Sequence, residues 1–201
     1  MARRSYRQNC ALARSIDVIG ERWTLLLVRD LLVGPRRFRD LVRSLKGIGT
    51  NLLASRLKDL EAGGLIERRG EQGYALTKSG EALEPAVLAL VRWGLVHGPR
   101  NQPGDYHEDE WDLVALKALF QPQRADELSA RVQFDSSSLE GWIEIRDGSV
   151  SIGLGKLADP DVVIGGTIAE LFTGDAAAES LLAAGDPNDL HRFMRAFALR
   201  A

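Results

Sequence analysis

"GTNLLASRLKDLEAGGLIERR", residues 49–69, decides the fold of the first half of the chain. Thr50 follows the tight glycine turn "KGIG" and is expected to cap a helix. Leu53, Leu57 and Leu60 then recur at i, i+4 and i+7, the stripe of one buried face. At about 100° per residue, Asn51, Ser55 and Lys58 fall on the opposite face. Gly63-Gly64 ends the helix. "LIERRGEQGYALT" then returns through Tyr74 and Leu76, which suits a short two-stranded wing with its tip near Gly70–Gly73.

Working outward, "SIDVIGERWTLLLVRDLLVG" sets Ile16, Ile19, Trp23, Leu26, Leu27 and Leu31 near helical spacing, stopped by Gly34-Pro35. Gly20 is open to two readings, a kink or a helix boundary. "RRFRDLVRSL" is a short amphipathic helix, with Phe38, Leu41, Val42 and Leu45 inward and arginines outward. "GEALEPAVLALVRWGLVHG" is a long amphipathic helix that tolerates Pro85 near its first turn. Helix, helix, tight turn, helix, wing is the order of a winged helix-turn-helix.

The formal charge of the 201 residues is -2, yet residues 1–100 carry +8 and residues 101–201 carry -10. The whole-chain value averages a basic half, suited to a polyanion, with an acidic half that is not. In a helix-turn-helix the second helix enters the major groove by its N-terminal part, and flanking cations meet phosphates. Thr50, Asn51, Ser55, Arg56 and Lys58 are the candidates on that helix. Arg36, Arg37 and Arg39 precede it, and Arg68 and Arg69 lie on the wing. Against double-stranded DNA as the partner stands a plainer reading, a solvated basic face on a protein-binding module.

No apolar run reaches about 18 residues, so no membrane span is expected. The basic N-terminus lacks the apolar core of a signal peptide. Cys10 is the only cysteine, which excludes an internal disulfide and fits a reducing, cytoplasmic setting.

The stretch "HGPRNQPGDYHEDE" concentrates glycine, proline and polar residues, as linkers do. It divides a first domain, residues 1–98, from a linker at 99–109 and a second domain at 110–201. That second domain opens with a helix, "DEWDLVALKALF", and turns to strands. Val132 and Phe134 alternate, as do Ile143 and Ile145, then Val150, Ile152 and Leu154, with Asp147-Gly148 as a hairpin turn. "DPDVVIGG" adds a strand, and "TIAELFTG", "AAAESLLAAG" and "DPNDLHRFMRAFAL" read as closing helices. The fold class is α+β in two domains, a winged helix followed by a sheet with segregated helices.

The first half resembles the HxlR family of bacterial winged-helix regulators. The resemblance rests on Cys10, on "GERWTLL" at Gly20–Leu26, and on Gly34, Arg37 and Phe38. The leucine-rich helix leading to "GGLI", the "YALTKSG" string and the late "WG" complete it. It implies a homodimer through the terminal helices of the domain, with two recognition helices on a pseudo-palindrome. Between Arg69 and Tyr74 the wing is shorter than the family's and lacks its usual proline. Cys10 stands where the family has a cysteine, and two readings are open for it: a redox-active thiol, or a small residue packed at the dimer seam.

The second half, from "WIEIRDGSVSIGLGK" through "DPDVVIGG" to "AAGDPNDLHRFMRAF", is similar to sterol carrier protein type-two-like domains. That resemblance implies an apolar cavity for a hydrophobic small molecule or lipid. Trp142, Ile152, Leu154, Leu171 and Phe172 are candidates to line it, together with Leu182, Phe193, Met194 and Phe197. Taken singly, each reads more simply as plain core packing.

His97, His107 and His191 are scattered without metal-ligand spacing, so no metal and no cofactor is expected. "GLGK" is a fragment of a phosphate loop, and no nucleophile–base constellation supports an enzyme. The reading is a DNA-binding regulator whose second domain senses an apolar ligand. Two alternatives stand beside it. One is a redox-responsive regulator acting through Cys10 with a purely structural second domain; the other is a lipid-binding protein whose winged helix binds a protein partner.

Overall fold

The computed structural model describes residues 5–125, 128–173 and 177–197. It divides into two compact units, Met1–Val87 and Leu88–Ala201. The division falls inside a long helix rather than in the linker at 99–109.

In the first unit, α1 (Ala11–Ile19) and α2 (Thr24–Leu32) are separate helices. Gly20 is a boundary, and Trp23 opens α2 from a left-handed conformation with φ 79°. α3 (Phe38–Ser44) and α4 (Thr50–Ala62) follow, then the wing strands β1 (Ile66–Arg68) and β2 (Tyr74–Leu76). Leu53, Leu57 and Leu60 are at most 3% exposed, as their spacing requires. Burying a leucine contributes roughly 1.5–3 kcal/mol, so this stripe fixes α4 to its domain. Thr50 does not cap α4; it is the first helical residue, and the N-cap is Gly49. The cap at the other end of the wing is Thr77. Its Oγ1 accepts from Gly80 N at 3.2 Å and donates to Gly64 O at 2.6 Å, at the start of α5 (Lys78–Glu81).

The wing has a third, one-residue strand that periodicity gives no sign of. Arg36 and Tyr74 exchange both backbone hydrogen bonds at 2.8 Å. This contact needs Gly73, where φ is 92° and a Cβ would lie 2.2 Å from Arg36 O. Beneath it sits Asp30, 1% exposed at the end of α2. Its carboxylate accepts from Ser44 Oγ at 2.5 Å and pairs with Arg29 at 2.8 Å, while its carbonyl accepts from Arg36 Nε at 3.4 Å.

α6 (Glu84–His97) spans the division between units. In the second unit α7 (Glu110–Leu119) precedes a five-stranded sheet. Its strands are β3 (Ala130–Asp135), β4 (Glu140–Arg146), β5 (Ser149–Leu154), β6 (Val162–Ile164) and β7 (Leu182–Ala184), in the order β5-β4-β3-β6-β7. β3 runs parallel to β6, and the other neighbours are antiparallel. α8 (Ile168–Thr173) and α9 (Pro187–Arg195) complete the described elements. "AAAESLLAAG" was expected to be a helix and is not. Its described part is a 3-10 turn at Ala178–Leu181 followed by edge strand β7, which pairs with β6. Sheet pairing outweighs the helix propensity of its alanines and leucines.

On the α7 face of the sheet lie Val132, Phe134, Ile143, Ile145 and Ile152, with Leu113 of α7 against Gly141. The opposite face carries Gln133, 5% exposed. Gln133 Nε2 donates to Gly141 O and Gly155 O, and its Oε1 accepts from Leu157 N at 2.7 Å. One amide thereby pins the segment that carries the chain from β5 to β6.

Asp30→Ala removes the acceptor shared by Ser44 and Arg29 and leaves a cation without its buried counter-charge. We expect a loss of about 3 kcal/mol, read as a fall in denaturant midpoint at unchanged m-value.

Candidate nucleic-acid interface

The exposed surface of α4 begins at its first turn. Thr50, Asn51, Ser55 and Lys58 are all exposed, on the side away from the leucine stripe. Gly49 has no side chain to bond the leading amides of α4. The N-terminal end of the helix therefore offers N–H donors and a positive dipole end to an anion beside Asn51 and Ser55.

The arginines sort into three groups. Arg36, a candidate phosphate contact, is corrected by the structure: it is 6% exposed and turned into the domain toward Asp30. Arg56 is half-corrected. Its side chain is only 19% exposed, and its guanidinium bonds Glu21 at 2.8 Å and Asp59 at 3.2 Å, so it ties α4 to the α1–α2 junction. Arg39 is open, with a side chain 76% exposed near Asp40. Arg37 is exposed, and its Nε donates to Glu71 O at 2.9 Å across the wing tip. Arg68 and Arg69 are exposed and pair with Glu61 at 3.9 Å and Glu67 at 2.8 Å; Arg68 also lies 5.0 Å over the Tyr74 ring. Exposed pairs contribute about 1 kcal/mol or less, so a phosphate competes with them readily. Arg56 is held by two carboxylates at once and is not so easily released.

The candidates of the second unit fall on different faces of its sheet and in its aromatic cluster. Trp142 faces away from Ile152 and Leu154, because the register pairs it with Gly153 while Ile143 pairs with Ile152. Its indole covers Gly153, where a Cβ would lie 2.4 Å from the ring. Leu171, Phe193 and Phe197 are at most 3% exposed. Phe120, Phe172 and Phe193 each meet the Phe197 ring, at centroid distances of 5.8, 6.0 and 5.0 Å, and Phe172 lies 6.5 Å from Phe193. This is a filled core. Leu154 and Leu182 are half-buried. Of the nine, Met194 borders, with Asn188, His191 and Arg195, an open depression of about 510 Å³ beside α9 among the described residues.

Cys10 is exposed at the N-cap of α1. Sequence spacing expected no metal ligands, yet His107, Asp109 and Asp112 bring ligating atoms within 4.8 Å of one another. His107 Nε2 lies 3.0 Å from Asp112 Oδ2. Burial pushes the Asp112 carboxyl above its usual range, against the pull of His107. Asp109 accepts from Ser138 Oγ rather than capping α7. These acids stand at a helix start, where negative charge is ordinarily favourable.

The HxlR-like helix-turn-helix family model matches residues 18–102, which contain the winged helix and end before the second unit's sheet. The HTH-type transcriptional regulator Rv3095 of Mycobacterium tuberculosis is 38% identical over 98 residues, 46% of this chain and 61% of its own. The HTH-type transcriptional regulator YkvN of Bacillus subtilis is 30% identical over 117 residues, 55% of this chain and 96% of its own. The chain thus spans about three-fifths of the mycobacterial relative and nearly all of the bacillar one. Among solved structures, quinone-bound YodB of B. subtilis is 31% identical, covering 42% of this chain and 96% of that one at a TM-score of 0.40.

The two cations on α4 are expected to behave differently. Lys58→Ala weakens binding to duplex DNA and lowers the slope of log affinity against log salt by about 1. Arg56→Ala chiefly lowers the melting temperature and leaves that slope within its error. Salt-titrated binding and thermal melts on the same samples check both.

Proposed function

This chain belongs to the HxlR-like helix-turn-helix family, and from that premise we propose a cytoplasmic, homodimeric regulator whose second unit senses an apolar ligand. DNA-binding transcriptional regulation is the family's character. The finer reading is a binding protein rather than an enzyme, with two copies of α4 entering successive major grooves of one duplex.

The observation that carries the dimer is the apolar face of α6. Leu90, Trp93, Gly94 and His97 recur at i, i+3, i+4 and i+7. Leu90 is 52% exposed and Trp93 58% exposed, and a Cβ at Gly94 would meet nothing within 4 Å. α1 likewise presents Leu12 at 68% and Ile16 at 37%. Such stripes are uncommon on monomers and typical of helices that pack against a second copy. No helix among the described residues is long and apolar enough to cross a membrane.

The ligand-sensing part rests on the depression beside α9 rather than on the buried phenylalanines. Its volume is in the range of small-molecule sites. A ligand there shifts DNA affinity only by its different affinity for the DNA-competent and incompetent arrangements. One observation favours the redox alternative: the Cys10 thiol is exposed, hence reachable by an oxidant and by a second copy's thiol.

Trp93→Glu sets a charge on the α6 stripe without touching α4. Sedimentation equilibrium should show dimers for the wild type and monomers for the variant, and DNA affinity should fall with the loss of the second half-site. A dimeric variant, or a wild type that is monomeric at micromolar concentration, rules the assembly out. Oxidant treatment of wild type and Cys10→Ser separates the two inputs: a ligand sensor loses no DNA affinity in either, whereas a thiol switch responds only in the wild type.

A further inference from the structure

The leading turn of α4 carries one apolar side chain that its own domain covers only in part. Leu52 is 40% exposed, while its neighbour Leu53 is fully buried. On a helix, residues three and four apart are neighbours. Leu52 therefore adjoins Ser55, and Ser55 adjoins Asn51, giving a carboxamide, a hydroxyl and a branched apolar group side by side. All three residues are exposed.

These groups match one kind of base pair better than the other. In the major groove adenine offers an acceptor and a donor that a carboxamide meets with two hydrogen bonds, and thymine offers its C5 methyl to an apolar side chain. Guanine is read instead by arginine or lysine. Of the cations on α4, Arg56 is held by Glu21 and Asp59, and Lys58 lies nearly two turns beyond Asn51. The leading turn itself, Thr50 to Leu53, carries no cation. The part of Leu52 left in water gains nothing for the free protein, and entry of the helix into a groove would bury it.

We infer that the leading turn of α4 reads A·T pairs, with Asn51 on an adenine edge and Leu52 against a thymine methyl group. The inference rests on the proposed major-groove docking of α4. It makes Leu52, which the basic-residue pattern passes over, a residue that sets sequence preference rather than overall affinity.

The test uses the full chain and a duplex selected by it from a random-sequence pool. Thymines of that duplex are replaced one at a time by uracil, which lacks only the C5 methyl. Wild type should bind about fourfold more weakly at one such position per half-site, the effect of one methyl group left in water. Leu52→Ala should be indifferent to that replacement, and Leu52→Met should remain sensitive. Asn51→Ala should lose its preference for adenine at a single position. A selected duplex with only G·C pairs under the helix, or one where no uracil replacement weakens the wild type, overturns the inference. A chain that selects no duplex at all removes the docking reading on which it rests.

Discussion

A buried carboxylate organises the DNA-binding unit. Asp30 closes α2, and through Ser44 it holds the end of α3, while its backbone carbonyl receives Arg36. Arg36 in turn forms the short strand that receives Tyr74 of the wing. Three elements that share no apolar periodicity are thus indexed to one residue. A buried ion pair adds little net stability compared with a hydrophobic replacement, but it penalises any arrangement that leaves the carboxylate unpaired. α4, pinned by its leucines to the same core, is presented in a fixed relation to the wing.

That indexing explains why a count of arginines overstates the DNA-facing charge. Arg36 serves the interior, and Arg56 serves the junction of α4 with the α1–α2 turn. Arg37 reaches across to the wing tip through Glu71 O. The outward side chains of the first half of α4 are short or neutral, Thr50, Asn51, Leu52, Ala54 and Ser55, and the charged ones, Lys58, Asp59 and Glu61, come after them. Exposed cations flank this stretch at Arg39, Arg68 and Arg69 and follow it on α4 at Lys58, while the stretch itself presents neutral side chains of the kind suited to base edges.

The second unit is built on a different principle. Its sheet has an apolar face under α7, and on the opposite face the buried Gln133 holds the segment that follows β5. The phenylalanines near its C-terminus fill space rather than enclose it. Beside α9 the described residues border an open depression. Residues 101–201 carry a balance of -10, a sign that does not suit a polyanion.

Leucine spacing, glycine turns and charge asymmetry were sufficient to specify a winged helix followed by an α+β unit, because these are local and periodic properties. The stripe of Leu53, Leu57 and Leu60 and the exposed Asn51, Ser55 and Lys58 follow from helical geometry alone. Tertiary structure decided everything that depends on partners distant in sequence. It turned Arg36 inward, paired Arg56 with Glu21, made an edge strand of Leu182–Ala184, and set Trp142 and Ile152 on opposite faces of one sheet. The reason is the same in each case. A side chain's periodicity states which way it points, but only the long-range register states what stands there to meet it.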